Sequence, residues 1–515
     1  MKILDCTLRD GGYYTNWDFD KNLVDNYIDS LNHLPIEYIE IGYRSLPQES
    51  YRGEYYYCPN YLLKRIKDQS DKKLAVMLNE KDTSVSDLKA LIKPCSNLID
   101  LVRLAVNPDN FLRALKLAEA IKDIGLDVAF NVMYMSEWKS KKDLVNQLKE
   151  VDGIVDYFNM VDSFGGVYPN DVKQAFELVR AETNVKIGFH GHNNMELALI
   201  NTLAAIECGA DIVDVTFTGM GRGAGNLKTE LLLTALYAQN KLEIDFNFLS
   251  KVVDPFSEMQ KSYGWGTNLP YIISGANSLP QKDVMEWISN KYYSFNTIIR
   301  ALSNKSKGIS DNLRLEIFKS LKSNKYSSAL VVGGGSSVIS HSAALHKFLQ
   351  INIDMVVIHA SSKNANSFKP INNEQIFCLV GDEGYRVEET YGESRPKRGS
   401  FVLPPFPRKM GTYIPNKHRD IAYELAQVNF TDNYQETHTA IAIETAIQLG
   451  VKKLYFTGYD GYTGIVNRKK EVNLMEENKY LFSKALDCGL ELISLTETQY
   501  NDLIKSSAFS YLINT

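Results

Sequence analysis

The sequence predicts an α/β protein with an N-terminal (β/α)8 barrel, a helical appendage and a second, smaller α/β domain. Eight short β-rich segments begin near residues 3, 37, 74, 100, 127, 157, 186 and 212. Their starts are roughly 30 residues apart, the length of one strand, one helix and two short loops. A new α/β pattern starts near residue 328. An open doubly wound sheet gives the same alternation, and the count of eight favours the barrel.

Length and composition exclude several classes of protein. At 515 residues, the chain is long enough for two domains. Its 44% hydrophobic and 23% charged residues exclude disorder, collagen and fibrous coiled coil. A net charge of -5 gives no broad basic field for a nucleic acid. No apolar run reaches the roughly 18–20 residues of a membrane span, and the start lacks the apolar core of a signal peptide, so we expect a cytoplasmic protein.

Helical patterns fill the intervals between the predicted strands. The segments 110–124 and 195–208 repeat apolar residues at helical spacing, and the second stops at Gly209, a common helix terminator. Residues 240–300 predict a helical appendage with irregular breaks at 263–275. The polar segment 303–312 is typical of a linker. We therefore expect a barrel domain (1–300), a linker (301–325) and a second domain (326–515).

Two histidines at the end of the seventh strand indicate a metal site. His190 and His192 are two residues apart, so both side chains point to the same face of a strand. Strands one and seven flank strand eight in a closed barrel, which brings Asp10, after strand one, to the same point. Two imidazoles and one carboxylate form a facial triad that leaves coordination positions open for a substrate.

Arg9 and Glu40 also lie at predicted strand ends. A 2-oxo acid chelates a metal through its keto and carboxylate oxygens, and a neighbouring guanidinium such as Arg9 stabilises the charge of the enolate formed from it. The alternative for Arg9 is a structural salt bridge. Glu40 either has a role in the site, where it orients Arg9 or holds a water, or is the buried ion-pair partner of Arg9, and the two interpretations are compatible.

Two further segments follow strands six and eight. Asp162 begins a polar run at the end of strand six, which predicts a lining residue of the site or a plain turn. The glycine-rich segment 219–226 allows backbone amides to approach a ligand closely, or forms a flexible loop. Asn226, at its end, is a candidate ligand of a metal or substrate.

The segments DCTLRDGG, IEIG, DSFGG and GFHGHNN to GRGAGN together resemble the DRE-TIM metallolyases, a family that includes hydroxymethylglutaryl-CoA lyase. The resemblance covers roughly residues 1–300, and the segment 190–226 is most similar to the 4-hydroxy-2-oxovalerate aldolases. It implies a divalent metal, Mn²⁺ or Mg²⁺, bound by Asp10, His190 and His192, and an Arg9 that stabilises a pyruvate enolate. Related barrels often form dimers, so we expect a homodimer.

The chain departs from this family after LRDG, where the aldolases carry a catalytic histidine. Tyr13 and Tyr14 follow instead, and either tyrosine or a metal-bound hydroxide is a candidate replacement. The Glu-Gln of the synthases and the cysteine loop of the lyase are not evident. The sequence thus favours a class II pyruvate aldolase, acting on an aldehyde or ketone, over a Claisen-type acyl-CoA condensing enzyme or lyase. Another alternative places the main activity in the second domain, as a glycosyl or nucleotidyl transferase.

The second domain is predicted to be Rossmann-like, with GGGSS between a strand and a helix. Such a turn forms an anion site or a tight structural turn. The segment 438–462 resembles sialyltransferase-like and pterin-pyrophosphokinase-like bacterial domains encoded near surface-glycan genes. That resemblance implies a nucleotide or nucleotide-sugar ligand at Gly334, Gly335, Ser336 and Asp460. The two domains together indicate synthesis of a modified sugar for a surface polysaccharide.

Overall fold

The computed structural model describes residues 1–290, 295–309, 313–318, 326–392, 394–396, 398–408, 413–462 and 469–513. The chain divides into two compact units, 1–286 and 287–515. The helix Phe295–Ser306 runs through the start of the predicted linker 301–325, part of which lies outside the described residues. The predicted boundaries at 300 and 326 stay predictions.

All eight strands predicted for the first unit are confirmed, and they close into a parallel barrel in sequence order. Each β-rich segment is flanked by helical or turn-forming sequence, so each becomes one strand of four to seven residues. The strands are β1 (Lys2–Asp5), β2 (Tyr38–Tyr43), β3 (Lys73–Asn79), β4 (Leu101–Val106), β5 (Asp127–Val132), β6 (Tyr157–Asp162), β7 (Lys186–Gly191) and β8 (Ile212–Val215).

Helices follow the strands as expected, with two differences at their boundaries. The helix predicted over 195–208 begins only at Ala198, because Glu196 has a left-handed φ of 57° that no helical turn accepts. The irregular break expected at 263–275 is shorter, since residues 269–276 are helical. The helices are α1 (Thr7–Thr15), α2 (Lys21–Asn32), α3 (Glu54–Tyr57), α4 (Asn60–Gln69), α5 (Leu88–Leu91), α6 (Phe111–Lys122), α7 (Lys142–Gln147), α8 (Pro169–Glu182), α9 (Ala198–Glu207), α10 (Thr229–Ala238), α11 (Phe246–Tyr263), α12 (Leu269–Ala276) and α13 (Gln281–Asn290).

The interior of the barrel is built in layers of different polarity. One layer is apolar and consists of Leu4, Cys6, Tyr38, Ala75, Leu101, Ala129, Tyr157 and Ile212. Two residues further along five of these strands stand buried polar side chains: Glu40, Arg103, Asn131, Asn159 and Asp214. Because strand side chains alternate between two faces, residues two apart share the interior face. A polar layer therefore lies next to the carboxyl ends of the strands, where barrel enzymes carry their active sites.

The second unit contains a nine-stranded parallel sheet in the part of the chain that the structure describes. The strands predicted at 329, 354–361, 374–381 and 452–460 are confirmed as β10, β11, β12 and β15. The strands are β9 (Glu316–Ile317), β10 (Ala329–Val332), β11 (Val356–His359), β12 (Gln375–Cys378), β13 (Gly399–Leu403), β14 (Ala422–Glu424), β15 (Lys453–Thr457), β16 (Glu491–Ser494) and β17 (Ile504–Lys505).

The strand order of this sheet is β17-β16-β15-β10-β11-β12-β13-β14-β9. The chain thus proceeds outward from β10 to β14 and resumes on the other side of β10 with β15. The Rossmann-like classification goes beyond this description and stays a prediction. The helices are α14 (Phe295–Ser306), α15 (Ser337–Ser340), α16 (Ser342–Ile351), α17 (Glu383–Tyr391), α18 (His438–Gln448) and α19 (Lys469–Asp487). None of the helices within the described ranges has the length and apolar character required to cross a bilayer.

Candidate active site and metal centre

Arg9 and Asp10 lie in the first turn of α1, not at a strand end as predicted. The helix starts directly after β1 because the Asp5 carboxylate accepts a hydrogen bond from the Thr7 amide at 2.9 Å. The glycines that follow allow close packing: a Cβ on Gly12 would lie 2.1 Å from the Trp17 ring. The DCTLRDGG segment therefore fixes Arg9 and Asp10 at the mouth of the barrel.

Arg9 is held by two carboxylates. Its Nε donates to Glu40 Oε2 at 2.8 Å, and its Nη1 forms a close ion pair with Asp10. Burial alone would lower the pKa of the Arg9 guanidinium, but Asp10 and Glu40 raise it well above its usual value. Arg9 thus stays charged. Glu40 is fully buried and is an ion-pair partner of Arg9, in agreement with one of the two interpretations from sequence.

His190 and His192 are brought together, with ring centroids 5.0 Å apart. Nδ1 of His190 lies 2.8 Å from Asp214 Oδ2, and Nδ1 of His192 lies 2.7 Å from the carbonyl oxygen of Asp162. Because these oxygens accept hydrogen bonds, each Nδ1 carries the proton and each Nε2 keeps its lone pair. Burial lowers the pKa of His192 to about 3, which keeps this imidazole neutral, as a metal ligand must be.

Asp10 and Asn226 complete the group of predicted metal ligands. Asp10 Oδ2 lies 3.8 Å from His190 Nε2 and accepts a hydrogen bond from Asn226 Nδ2 at 2.7 Å. Oδ1 of Asn226 is buried without a hydrogen-bond partner. One carboxylate, two imidazoles and one unpartnered amide oxygen make a nitrogen and oxygen donor set that fits a divalent cation. The residues present therefore fit the metal that the sequence implies.

A second group of ligand-type atoms lies beside this one. Cys6, His190 and Asp214 offer donor atoms within 4.8 Å of one another. Burial raises the pKa of the Cys6 thiol well above its usual value, so Cys6 stays a neutral thiol and a poor metal ligand. The Asp214 oxygen that faces His190 is already taken by the imidazole N–H. Asp214 thus orients His190, whereas the Cys6 thiol donates to the Val215 carbonyl at 3.4 Å.

The polar layer of the barrel contributes residues that the sequence reasoning missed. Arg103 is fully buried and pairs with Glu40 at 3.1 Å and closely with Asp214. Its Nε also donates to Asn131 Oδ1 at 3.0 Å. The signal was present in the sequence: Arg103, Asn131 and Asp214 each follow an apolar interior residue of their strand by two positions. Period-two alternation predicts such side chains to point into the barrel.

The carboxylate of Asp162, which the sequence predicts to line the site or to belong to a plain turn, is held by its own loop. Its carboxylate accepts hydrogen bonds from the amides of Gly166 and Val167 at 3.2 and 3.3 Å. Its carbonyl oxygen orients His192. Burial raises the pKa of the Asp162 carboxyl to about 6. The Asp162 side chain is thus turned toward its own loop, where it accepts hydrogen bonds from the amides of Gly166 and Val167, and its role in the reaction stays a prediction.

The structure distinguishes the two tyrosines proposed to replace the missing histidine. Tyr14 donates its hydroxyl to the Gly223 carbonyl at 3.1 Å, and burial raises its pKa to about 12. Tyr13 lines a cavity of about 590 Å³ together with Arg9, Asp10, His190 and His192. Its hydroxyl lies 3.2 Å from that of Tyr43. Tyr13, and not Tyr14, therefore faces the space where a substrate would bind.

The residues predicted to bind a nucleotide in the second unit line another cavity, of about 680 Å³. It contains Gly334, Gly335, Ser336 and Asp460, at the carboxyl ends of β10 and β15. Asp460 accepts a hydrogen bond from the Ser337 amide at 3.0 Å. A carboxylate of the chain itself thus accepts a hydrogen bond from one amide of the GGGSS turn. A Cβ on Gly335 would lie 2.6 Å from this carboxylate, whereas one on Gly334 would meet no atom within 3.5 Å.

Comparisons with known proteins agree with the geometry of the barrel. The HMGL-like family matches residues 1–254. The chain is 32% identical over 247 residues to a 4-hydroxy-2-oxovalerate aldolase of Carboxydothermus hydrogenoformans, covering 46% of this chain and 70% of that protein. It is 29% identical over 276 residues to an oxaloacetate decarboxylase of Mycobacterium tuberculosis, covering 51% and 78%.

Among solved structures, the N-terminal domain of a candidate aldolase from Bacteroides vulgatus is 53% identical. It covers 58% of this chain and 100% of that one, with a TM-score of 0.56. The family match spans the barrel strands and includes Arg9, Asp10, His190 and His192. Through its barrel, the chain belongs to the HMGL-like family.

Proposed function

We propose that the barrel is a divalent-metal-dependent aldolase that forms or cleaves a carbon–carbon bond through the enolate of pyruvate or another 2-oxo acid. The observation that carries this proposal is the convergence of Asp10, His190, His192 and Asn226 beside Arg9 at the mouth of the barrel. Relatives that act as 4-hydroxy-2-oxovalerate aldolases and an oxaloacetate decarboxylase support it. Both reactions pass through a pyruvate enolate.

Asp10, His190, His192 and Asn226 would hold the cation, for which Mn²⁺ and Mg²⁺ are the candidates. When bound, a divalent cation supplies Lewis-acid stabilisation of negative charge on the oxygen of a 2-oxo acid. Arg9 lines the same cavity and supplies a fixed positive charge. Because Glu40 and Asp10 hold the guanidinium in place, it stabilises the developing enolate charge without reorganising.

In the direction of synthesis, a methyl proton of pyruvate passes to solvent water and an enolate is left. Its carbon attacks the carbonyl carbon of the aldehyde, and the new alkoxide takes up a proton. We assign the donor of this proton to Tyr13, whose hydroxyl faces the cavity and lies 3.2 Å from the Tyr43 hydroxyl. In cleavage the same hydroxyl accepts the proton, as microscopic reversibility requires.

Exchange of the pyruvate methyl protons in deuterated water tests this function without knowledge of the aldehyde. We expect exchange, followed by NMR, that depends on Mg²⁺ or trace Mn²⁺ and is lost in His190→Ala. His33→Ala is the matched control, since His33 is exposed and stacks on Phe248 away from the cavity. A wild-type protein that exchanges neither pyruvate nor oxaloacetate protons under any metal would refute the proposal. Exchange that requires an acyl-CoA would favour the Claisen-type alternative.

For the second unit we propose binding of a nucleotide or nucleotide-linked sugar by Gly334, Gly335, Ser336 and Asp460. This is supported by the cavity at the carboxyl ends of β10 and β15, where the strand order reverses. In open parallel sheets, ligands bind at such a reversal. A nucleotide-sugar site next in sequence to an aldolase barrel supports a role in making a chain-extended sugar for a surface polysaccharide. We favour this role over the alternative in which the second domain acts alone as a transferase.

Calorimetry on the full chain, with CMP, UDP-glucose and GTP as probes, tests this second proposal. Gly335→Ala displaces the Asp460 carboxylate and is expected to weaken binding at least tenfold. Gly334→Ala adds the same methyl group where it meets only ordinary contacts, and it serves as the matched control. If none of the three probes binds at millimolar concentration, the nucleotide assignment is wrong.

A further inference from the structure

We propose that Arg222 binds an anionic group, a carboxylate or a phosphate, of the acceptor, so that the natural acceptor of the barrel is an acidic aldehyde. This inference rests on the proposed aldolase function and specifies its second substrate. Arg222 lines the same cavity as Arg9, Asp10 and the two histidines. It belongs to the glycine-rich loop after β8, which also carries the proposed metal ligand Asn226, but the enolate chemistry gives Arg222 itself no role.

The loop fixes the position of Arg222 through the glycines on either side of it. A Cβ on Gly221 would lie 2.6 Å from Asn226 Nδ2, and one on Gly223 would lie 2.2 Å from Gln281 Oε1. The Gly223 carbonyl also accepts the Tyr14 hydroxyl at 3.1 Å. Packing on both flanks thus leaves the Arg222 side chain directed along the wall of the cavity.

The guanidinium of Arg222 lies over an aromatic ring and not against a carboxylate. Its central carbon is 4.1 Å from the centroid of the Tyr13 ring. Of the carboxylates that the structure describes, none forms an ion pair with Arg222; Asp10, which attracts it electrostatically, is paired with Arg9. Tyr13 covers one face of the guanidinium and also takes part in a hydrogen bond with it, and the N–H groups on the remaining edge are left for a ligand.

The charges around the cavity favour an anion. Arg222, Lys81 and Lys282 line it, whereas Arg9 and Asp10 neutralise each other. Glu80, the other carboxylate in the lining, pairs with Arg113 at 3.2 Å. A partly buried guanidinium without an acidic partner is electrostatically uncompensated, and a planar carboxylate or phosphate matches its fork of donors. An acceptor held there by its acidic end lies beside Tyr13.

Acceptor selectivity tests the proposal. With saturating pyruvate and Mg²⁺, kcat/KM is measured for two matched pairs: succinic semialdehyde against butanal, and glycolaldehyde phosphate against glycolaldehyde. In at least one pair, we expect the kcat/KM of the wild type to be tenfold or more higher for the acidic aldehyde than for the neutral one. A preference in the first pair indicates that Arg222 binds a carboxylate, and a preference in the second pair indicates a phosphate. Arg222→Met should reduce that preference at least tenfold. Arg52→Met is the matched control, because Arg52 also lies over a ring, that of Trp17 at 5.7 Å, and does not line the cavity.

A binding measurement separates this proposal from the aldolase function. Succinate and inorganic phosphate are titrated into the metal-loaded full chain by calorimetry, with no turnover needed. We expect the dissociation constant of at least one of them to rise tenfold or more in Arg222→Met and to stay unchanged in Arg52→Met. If the wild type fails to exchange pyruvate protons but Arg222→Met still binds the anion more weakly, the aldolase function is wrong and the anion site at Arg222 is supported. Equal anion binding and equal acceptor selectivity in wild type and Arg222→Met would overturn the proposal.

Discussion

His190 Nδ1 lies 2.8 Å from Asp214 Oδ2, with both side chains buried inside the barrel. Asp214 also pairs with Arg103, and Arg103 pairs with Glu40, the partner of Arg9. Burial would raise the pKa of Asp214, but Arg103 and His190 lower it to about 2, so the carboxylate stays ionised. One buried chain of charges therefore connects the guanidinium at the mouth of the barrel with a proposed metal ligand.

Replacing Asp214 by Asn should weaken metal binding. The amide oxygen still accepts the His190 N–H, but it lacks the charge that makes the imidazole a stronger ligand. Loss of such a carboxylate behind a histidine typically lowers metal affinity about 10–100-fold. Calorimetric titration with Mn²⁺ measures this, with Asp127→Asn, at the exposed start of β5, as control. Equal affinities in both variants would contradict a role of Asp214 in orienting His190.

Arg103→Met should destabilise the barrel strongly. The substitution leaves the buried carboxylates of Glu40 and Asp214 without their shared partner, and removing one partner of a buried pair costs about 3–5 kcal/mol. Urea unfolding followed by tryptophan fluorescence reads this change, since three of the four tryptophans, Trp17, Trp138 and Trp265, lie in the first unit.

The triple variant Arg103→Met, Glu40→Gln, Asp214→Asn separates charge from packing in that experiment. It removes the carboxylates of Glu40 and Asp214 together with the Arg103 guanidinium, so none of these three groups leaves an uncompensated charge buried. We expect it to be more stable than Arg103→Met alone. If the three substitutions simply add their costs, the loss in the single variant comes from packing and the electrostatic explanation is wrong.

The sequence was sufficient for the barrel because each of its strands stands alone between helical or turn-forming segments. The sequence also predicted that Asp10, His190 and His192 lie near one point. Residues two apart on a strand share a face, and strands one and seven both flank strand eight in a closed barrel. The orientation of the Asp162 side chain could not be predicted from the sequence. The backbone amides of Gly166 and Val167 hold the carboxylate, and a pattern of apolar and polar residues gives no information about such contacts.

In the second unit, short and irregular strands were harder to recognise. The strands β9 and β17 have two residues each, and β14 has three, too few to show any alternation. The glycine-rich turn after β10 could be recognised from the sequence, but the hydrogen bond from the Ser337 amide of that turn to Asp460 could not. That contact joins residues 123 positions apart in the chain, which a local pattern does not reveal.

Gly221→Ala should weaken metal binding without straining the backbone. Gly221 does not have a left-handed φ, so alanine fits its conformation, but the new Cβ would lie 2.6 Å from Asn226 Nδ2. The Asn226 side chain, a proposed ligand, must move away, and we expect about a tenfold loss of Mn²⁺ affinity by calorimetry. Gly334→Ala, in the second unit, is the control. Full affinity in Gly221→Ala would mean that Asn226 does not coordinate the cation.

Glu477 should make the second unit less stable as the pH rises. It is buried beside the second cavity, and burial raises its pKa from 4.5 to about 7. Between these values the folded protein binds more protons than the unfolded chain, so stability falls as the pH rises from about 4.5 to 7 and is then constant. The total loss is about 3 kcal/mol.

The free energy of unfolding of Glu477→Gln should therefore exceed that of the wild type by about this amount at pH 8 and match it near pH 4.5. Urea unfolding at both pH values, read by hydrogen exchange in peptides of β15 and β16, measures the difference. Glu476→Gln, at the exposed neighbouring position, is the control. Parallel pH profiles for wild type and Glu477→Gln would show that Glu477 is ionised at no cost in the folded protein.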